Sequence, residues 1–286
     1  MYDRIDGLAA IAERYDGYVI DVWGTLYDGG EVFPAALDAL RALAGSGKAV
    51  VILSNSPRLP SAVAGRLERI GLGADLYREI ITSGGESHRH LRDRVDALHG
   101  GLGPLAYGFA PSRFTDILPG TGFEPTDDLD AADWILNAGP EGETDTVAVY
   151  EAAMRRGVER GLLMLCANPD RLVVDRGVLK IHAGALADRY QELGGRVHYH
   201  GKPHAPVFAR SIARLGVPPC RVLVIGDNRA TDVAGAVAAG LDSLMLADGV
   251  HREELFDDAR MSDDRVGAFL GTPGPKPRWV AERLGW

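Results

Sequence analysis

The chain has 286 residues, 46% apolar and 25% charged, the balance of a globular fold, and a formal charge of −9. That charge argues against a nucleic-acid binder relying on a basic surface, while an anionic small molecule in a locally positive cleft remains compatible with it. No apolar run approaches the ~20 residues of a membrane span, and the acid-bearing start MYDRIDGLAAIAERYDGY does not read as a signal peptide.

The first part alternates strand and helix. Residues 18–20 form a short apolar strand ending at Asp21, and a Gly-rich turn follows. A helix is expected over 34–44, a strand over 49–53, a polar turn at 54–57 and a helix over 59–70; residues 80–84 repeat the pattern. Such βαβα order favours a parallel sheet. The middle region differs. A charged helix over 86–96 and a break at 100–104 precede short strands at 105–107, 134–136 and 163–166, with a helix near 146–156. Residues 173–180 read as a hairpin turning near Asp175-Arg176-Gly177. The block 85–188 is therefore taken as a separate inserted α/β domain, with 1–84 and 189–286 as the core. In the last part, strands are expected at 196–199, 222–225 and 243–246, helices at 205–215 and 231–239, and an irregular Pro-rich tail before a short terminal helix. The Asp-rich stretches 127–133 and 257–264 read as solvated loops. Cys166 and Cys220, far apart in or near apolar runs, read as reduced core residues, which points to the cytoplasm.

Four strands thus end in polar turns, at Asp21, Ser54, Lys202 and Asp227. In a parallel sheet such turns open on one edge and can share a cleft. Two carboxylates suit Mg²⁺, a hydroxyl and a lysine suit phosphoryl oxygens, and the turn after Asp21 can form an anion-binding nest. Taken singly, each residue is as readily a turn former, helix cap or loop charge.

In this order, DVWGTLYDG, LSNSPR, GKPHAPVF and GDNRATDVAGAVAAG resemble the four motifs of the haloacid dehalogenase (HAD) superfamily. LSNSPR, ITSG, CANPD and the insert resemble its subclass with a large α/β cap, which includes sugar-phosphate, nitrophenyl phosphate and pyridoxal phosphate phosphatases. The likeness spans about residues 16–250. It implies a Rossmann-like α/β core, Mg²⁺ as cofactor, a small phosphorylated metabolite as substrate, and no nucleic-acid or membrane partner. Caps of this kind often mediate homodimers in the family. The resemblance assigns Asp21 as nucleophile and Mg²⁺ ligand, and Ser54 as a phosphoryl-oxygen donor supported by Asn55. Lys202 neutralises charge, Asp227 binds Mg²⁺, and Asp232 orients the metal's waters or Lys202. Asn168 and Asp170 lie on the cap loop that reads the leaving group.

One position departs from the pattern. Family phosphatases usually carry an aspartate two residues after the nucleophile, as acid and then base, and here that residue is Trp23. Its backbone carbonyl can still serve Mg²⁺, and its indole can wall the cleft or stack on a flat substrate. Asp28, Asp170 and His182 are candidates for a substitute acid, with His182 at the expected return to the core; Asp28 reads more readily as a cap. His198, His200 and His204 flank Lys202 and read as structural or substrate-edge residues, because no third ligand for zinc is evident. His88 and His90 read as exposed helix residues. A phosphohydrolase with an aspartyl-phosphate intermediate leads this reading. A phospho-ligand-binding pseudoenzyme, suggested by Trp23, and a dehalogenase, suggested by its aromatic ring, are the alternatives.

Overall fold

The computed structural model describes residues 2–109, 116–175 and 178–286. Its first strands are β1 (Asp3–Arg4), β2 (Gly17–Ile20), β3 (Ala49–Ser54) and β4 (Glu79–Thr82). Next come β5 (Leu105–Phe109), β6 (Glu124–Thr126), β7 (Trp134–Asn137), β8 (Leu163–Cys166), β9 (Leu172–Asp175), β10 (Val178–Ile181) and β11 (Arg196–Tyr199). The last are β12 (Val222–Gly226), β13 (Asp242–Leu246), the short antiparallel pair β14 (Phe256–Asp257) and β15 (Arg260–Met261), and β16 (Trp279–Ala281).

The chain divides into two compact units. The first comprises the residues up to Ser54, Ala64–Ile81 and Lys202–Trp286. It carries a seven-stranded sheet in the order β1-β16-β13-β12-β2-β3-β4. Strands β2, β3 and β12 are buried along their whole length, as expected of parallel strands covered on both faces. In the pairing of β2 with its neighbours, Ile20 faces Ile52 on one side and Ile225 on the other. The ends of β2, β3 and β12 therefore lie side by side, at the point where the chain leaves β2 in one direction and reaches β12 in the other. Helix Ala205–Leu215 packs on this sheet through Val207, Phe208 and Leu215, within a core that includes Val19, Val51, Leu53 and Val224. Phe208 is wholly buried, and a Cβ at Gly235 would come within 2.1 Å of its ring. That close fit holds the helix against its neighbour Ala234–Ala238.

The second unit comprises Asn55–Val63 and Thr82–Gly201. Its five-stranded sheet runs β11-β8-β7-β5-β6, and every pair in it is parallel. One apolar cluster centres on Ile135, Met154, Met164, Leu186 and Tyr190, another on Leu91, Ile117, Trp134 and Leu165. The segment after Ser54 joins this unit through hydrogen bonds: Thr82 Oγ1 donates to the Arg58 carbonyl at 2.6 Å, and Gly84 N donates to Ser56 O at 3.0 Å.

The α/β class, the mostly parallel sheets and most elements match the sequence reading. The differences are non-local. Strand β11 pairs with β8 and not with a core strand, so the second unit runs to Gly201 where the sequence reading ended the insert at 188. Helix Ala183–Glu192, unanticipated, lies inside this unit. Helix Ser83–Asp93 starts before residue 86, because Thr82 Oγ1 caps it by accepting from Gly85 N at 2.9 Å. The Pro-rich tail does not end in a helix: Trp279–Ala281 joins the core sheet between β1 and β13. Buried Arg229 holds the tail, donating to the carbonyls of Phe269, Thr272 and Pro275. Of the Asp-rich stretch 257–264, part is β14 and β15 and part begins helix Asp263–Gly271. Cys166 is buried, but Cys220 is exposed. The hairpin is present as β9 and β10, with its expected turn residues Arg176 and Gly177 outside the described residues.

Candidate active site

At the shared edge of the core sheet, Asp21 follows β2 and Asp227 follows β12, both buried. Asp232 comes from a turn of π-helix, Arg229–Val233, in which Val233 N reaches back to Asn228 O. Such wide turns are frequent at functional sites, where they re-aim a side chain. Carboxylate oxygens of Asp21, Asp227 and Asp232 lie within 4.8 Å of one another. Lys202, 3% exposed, joins two of them: Nζ donates to Asp21 Oδ1 at 2.5 Å and to Asp232 Oδ1 at 2.7 Å. Asp232 Oδ2 accepts from Asn228 N at 3.2 Å, so both its oxygens are held by the protein. Asp227 Oδ2 accepts from Val250 N at 2.7 Å. Gly24 and Gly249 make room for Asp227, since a Cβ on either would come within 2.2 Å of its Oδ2. Gly24 also has φ of +77°, which favours glycine.

Burial pushes the Asp21 carboxyl well above the usual carboxylate range; Lys202 pulls against this, while Asp232 and Asp227 reinforce it. With all three carboxyls ionised, the cluster would carry two negative charges beyond the Lys202 ammonium, an excess that burial opposes. That excess equals the charge of one Mg²⁺, and the donors are hard oxygens, the set that Mg²⁺ selects. The residues therefore fit a divalent cation.

Lys202 reaches this site by a different route from the one read in the sequence. The strand before it belongs to the other sheet. Lys202 instead opens the segment leading into helix Ala205–Leu215, whose packing on the core sheet positions it. Ser54 closes β3, beside the end of β2, and is buried. Trp23 stands in the turn after β2, half-buried, with its ring against Tyr27 at 4.9 Å between centroids. Arg66 in turn lies over the Tyr27 ring and donates to its hydroxyl at 3.1 Å. The amides of Gly24, Leu26 and Tyr27 are engaged within this turn, so the expected nest cannot use them for an anion. Asp28 is exposed and accepts from Gly30 N, the role of a turn former.

Asn55, Asn168 and Asp170 form their own group in the second unit. Asn55 Nδ2 donates to Asp170 Oδ1 at 2.8 Å, and Asp170 N donates to Asn168 Oδ1 at 3.0 Å. His182 is the residue before helix Ala183–Glu192 and not a return to the core; its Nδ1 accepts from Asn168 Nδ2 at 2.7 Å.

The histidines require a larger correction. His90 is not exposed but only 12% accessible in its side chain, and it gathers with His99 and His200. One ring nitrogen from each lies within 4.8 Å of the others. His99 carries no signal of its own in the sequence. Its neighbours in the fold come from residues 90 and 200, a spacing that no local pattern reveals. The sequence signal for Arg229, Gly249 and Val250 was equally weak, since each acts through its backbone or through distant carbonyls.

Comparison with known proteins bears on the fold and the family. Residues 18–124 match the family model described as haloacid dehalogenase-like hydrolase, and residues 199–271 the one described as HAD-hydrolase-like. The 5'-nucleotidase YutF of Bacillus subtilis is 26% identical over 251 residues, covering 86% of this chain and 93% of that protein. A haloacid dehalogenase-like family hydrolase from Brucella suis 1330 superposes with a TM-score of 0.83 at 28% identity, covering 98% of this chain and 99% of that one. A glycerol phosphate phosphatase from Mycobacterium tuberculosis, crystallised in complex with magnesium, shares the fold with a TM-score of 0.69 at 24% identity, covering 96% and 77%.

Proposed function

The chain belongs to the haloacid dehalogenase-like hydrolases, and from that premise we propose a Mg²⁺-dependent phosphatase of small phosphorylated metabolites that works through an aspartyl-phosphate on Asp21. The observation that carries this reading is the cluster of Asp21, Asp227 and Asp232 around Lys202. Relatives named for 5'-nucleotide and glycerol phosphate hydrolysis support the substrate class.

In this mechanism Lys202 holds Asp21 Oδ1 and orients Oδ2 toward phosphorus. As Oδ2 forms its bond, the ester P–O bond breaks and its electron pair leaves on the departing oxygen. Water then attacks the acyl phosphate, inorganic phosphate departs, and the Asp21 carboxylate is restored. Asp21, Asp227 and the Trp23 carbonyl would hold Mg²⁺, which when bound neutralises phosphoryl charge. Ser54 donates to a phosphoryl oxygen, and Asp232 positions Lys202. The inserted unit acts as the cap, with Asn168 and Asp170 reading the leaving group, Asn55 supporting them, and large substrates excluded. It is also the surface for a homodimer.

Trp23 supplies no proton, and positioned acid catalysis is worth about 10²–10⁴-fold. Aryl, enol and acyl phosphates, which leave as weaker bases, are therefore the faster substrates. The test is Mg²⁺-dependent release of nitrophenol from nitrophenyl phosphate. Asp21→Asn is expected to lower it by on the order of 10⁴-fold or more, and a wild-type rate in that variant rejects the nucleophile. Tight binding of phosphate esters with no turnover across a broad panel indicates the binding-protein alternative. Halide release indifferent to a chelator indicates the dehalogenase.

A further inference from the structure

The histidines of the second unit form a cluster that the proposed reaction does not use. His90 comes from helix Ser83–Asp93, His99 from the short helix Ala97–Gly100, and His200 from the residue after β11. His99 and His200 are buried, and their rings stack at 5.2 Å with 16° between planes. The His198 ring completes the group, 5.0 Å from that of His200 and 5.2 Å from that of His99.

What distinguishes this cluster from an ordinary packed core is the state of its nitrogens. On each of three rings one nitrogen has an outer partner. His99 Nδ1 lies 2.7 Å from Asp96 Oδ1, and His200 Nδ1 lies 2.8 Å from Ser87 Oγ. His90 Nε2 lies 2.7 Å from an Arg89 nitrogen and 3.8 Å from Glu86 Oε2. The other nitrogens, His90 Nδ1, His99 Nε2 and His200 Nε2, are buried with no hydrogen-bond partner. One buried unpartnered polar atom is costly, and three in one cluster require an explanation. A metal ion gives one, because a ligating imidazole characteristically has its second nitrogen fixed by a carboxylate or other polar group. Asp96 and Ser87 already stand in that relation to His99 and His200. His90 differs: an Arg89 N–H donates to its Nε2, so ligation through Nδ1 requires that contact to give way and an Nε2–H to turn toward Glu86, which itself accepts from Arg89 at 2.8 Å.

We propose that His90, His99 and His200 bind a late first-row divalent cation of the zinc class, at a site separate from the carboxylate cluster. Imidazole nitrogens select zinc over magnesium, as carboxylate oxygens select the reverse. The ring nitrogens lie within 4.8 Å of one another, and a tetrahedral zinc with bonds of about 2.0–2.1 Å needs them about 3.4 Å apart, a modest closure. Bound there, the ion ties the helix that opens the main segment of the second unit to the residues that close it, at Gly201. The role is structural.

The test uses full-length Asp227→Asn protein, stripped with a chelator and kept in excess Mg²⁺, so that the carboxylate cluster does not report. One equivalent of Zn²⁺ is expected to bind and, at a thousandfold excess over its Kd, to raise the melting temperature by on the order of 10 °C. X-ray absorption at the zinc edge of the same protein is expected to show three or more imidazole ligands. This second measurement needs no histidine variant and so is independent of whether such a variant folds. His90→Ala, the substitution at the least buried of the three, is expected to weaken zinc binding by at least tenfold. Fewer than three imidazoles, no stoichiometric zinc, or equal affinity in His90→Ala overturns the site, whatever the outcome of the phosphatase assay.

Discussion

The carboxylate cluster of the first unit and the histidine cluster of the second are both buried groups of titratable side chains, yet they resolve burial in opposite ways. In each, burial works against charge: it pushes the Asp21 carboxyl up and holds the His200 imidazole well below its usual range. The first cluster retains charge because Lys202 is built into it. In the second, the neighbouring imidazoles and Arg89 add to burial in disfavouring a proton on His200. A site that retains charge is suited to handling a phosphoryl group. A neutral site is suited to a metal that prefers lone pairs to formal charge. The two differ in chemistry because they differ in what compensates burial.

The largest way to probe the first cluster is to restore what it lacks. Trp23→Asp is expected to speed alkyl phosphate hydrolysis by about 10²–10⁴-fold while changing aryl phosphate turnover much less. Steady-state rates on a matched alkyl and aryl pair measure this, and equal gains on both would show that leaving-group protonation is not the missing element. Removing the compensating charge comes next. Lys202→Met leaves the carboxylates unpaired and is expected to lower stability by about 3–5 kcal/mol in metal-free buffer. Part of that loss should return with Mg²⁺, as read by denaturant midpoints; a midpoint unmoved by the substitution would break the contrast with the histidine cluster.

The smallest effect belongs to a half-buried pair that serves as a reference for both clusters. The Arg189 guanidinium, 2.7 Å from Glu151, holds that carboxyl down at about 2 from its ordinary 4.5. A folded-state value below the unfolded one stabilises the protein above pH 4.5, and the contribution fades as pH falls toward 2. The stability difference between wild type and Arg189→Met is therefore expected to be slight near neutrality and to narrow between pH 4.5 and 2. A difference that widens on acidification would contradict the sign.

The core was legible because its signals are local. Runs such as YVI, AVVIL and VLVI read as strands buried on both faces, and an aspartate at the end of such a run marks the functional edge of a parallel sheet. Asp21, Ser54 and Asp227 were found in this way, and the order of the four motifs identified the family. The departure at Trp23 was legible for the same reason, since its place in the motif is fixed by counting two residues along one turn.

Other features were decided by pairing between distant segments, which a short stretch does not encode. The four residues of β11 read as a strand, but nothing in RVHY states which sheet receives it. Its pairing with β8 moved the end of the insert from 188 to 201 and gave Lys202 its approach from a helix. The tail strand Trp279–Ala281 was hidden by its prolines and found its place only beside β13. The histidines at 90, 99 and 200 meet because two helical segments and a strand end fold against one another. The sequence by itself determined the strands, the motif order and the chemistry at the strand ends, because each follows from residues close along the chain. Only the tertiary structure decided which sheet took each strand and which side chains met, because those depend on contacts between segments far apart along the chain, from Arg196 with Leu163 to His90 with His200.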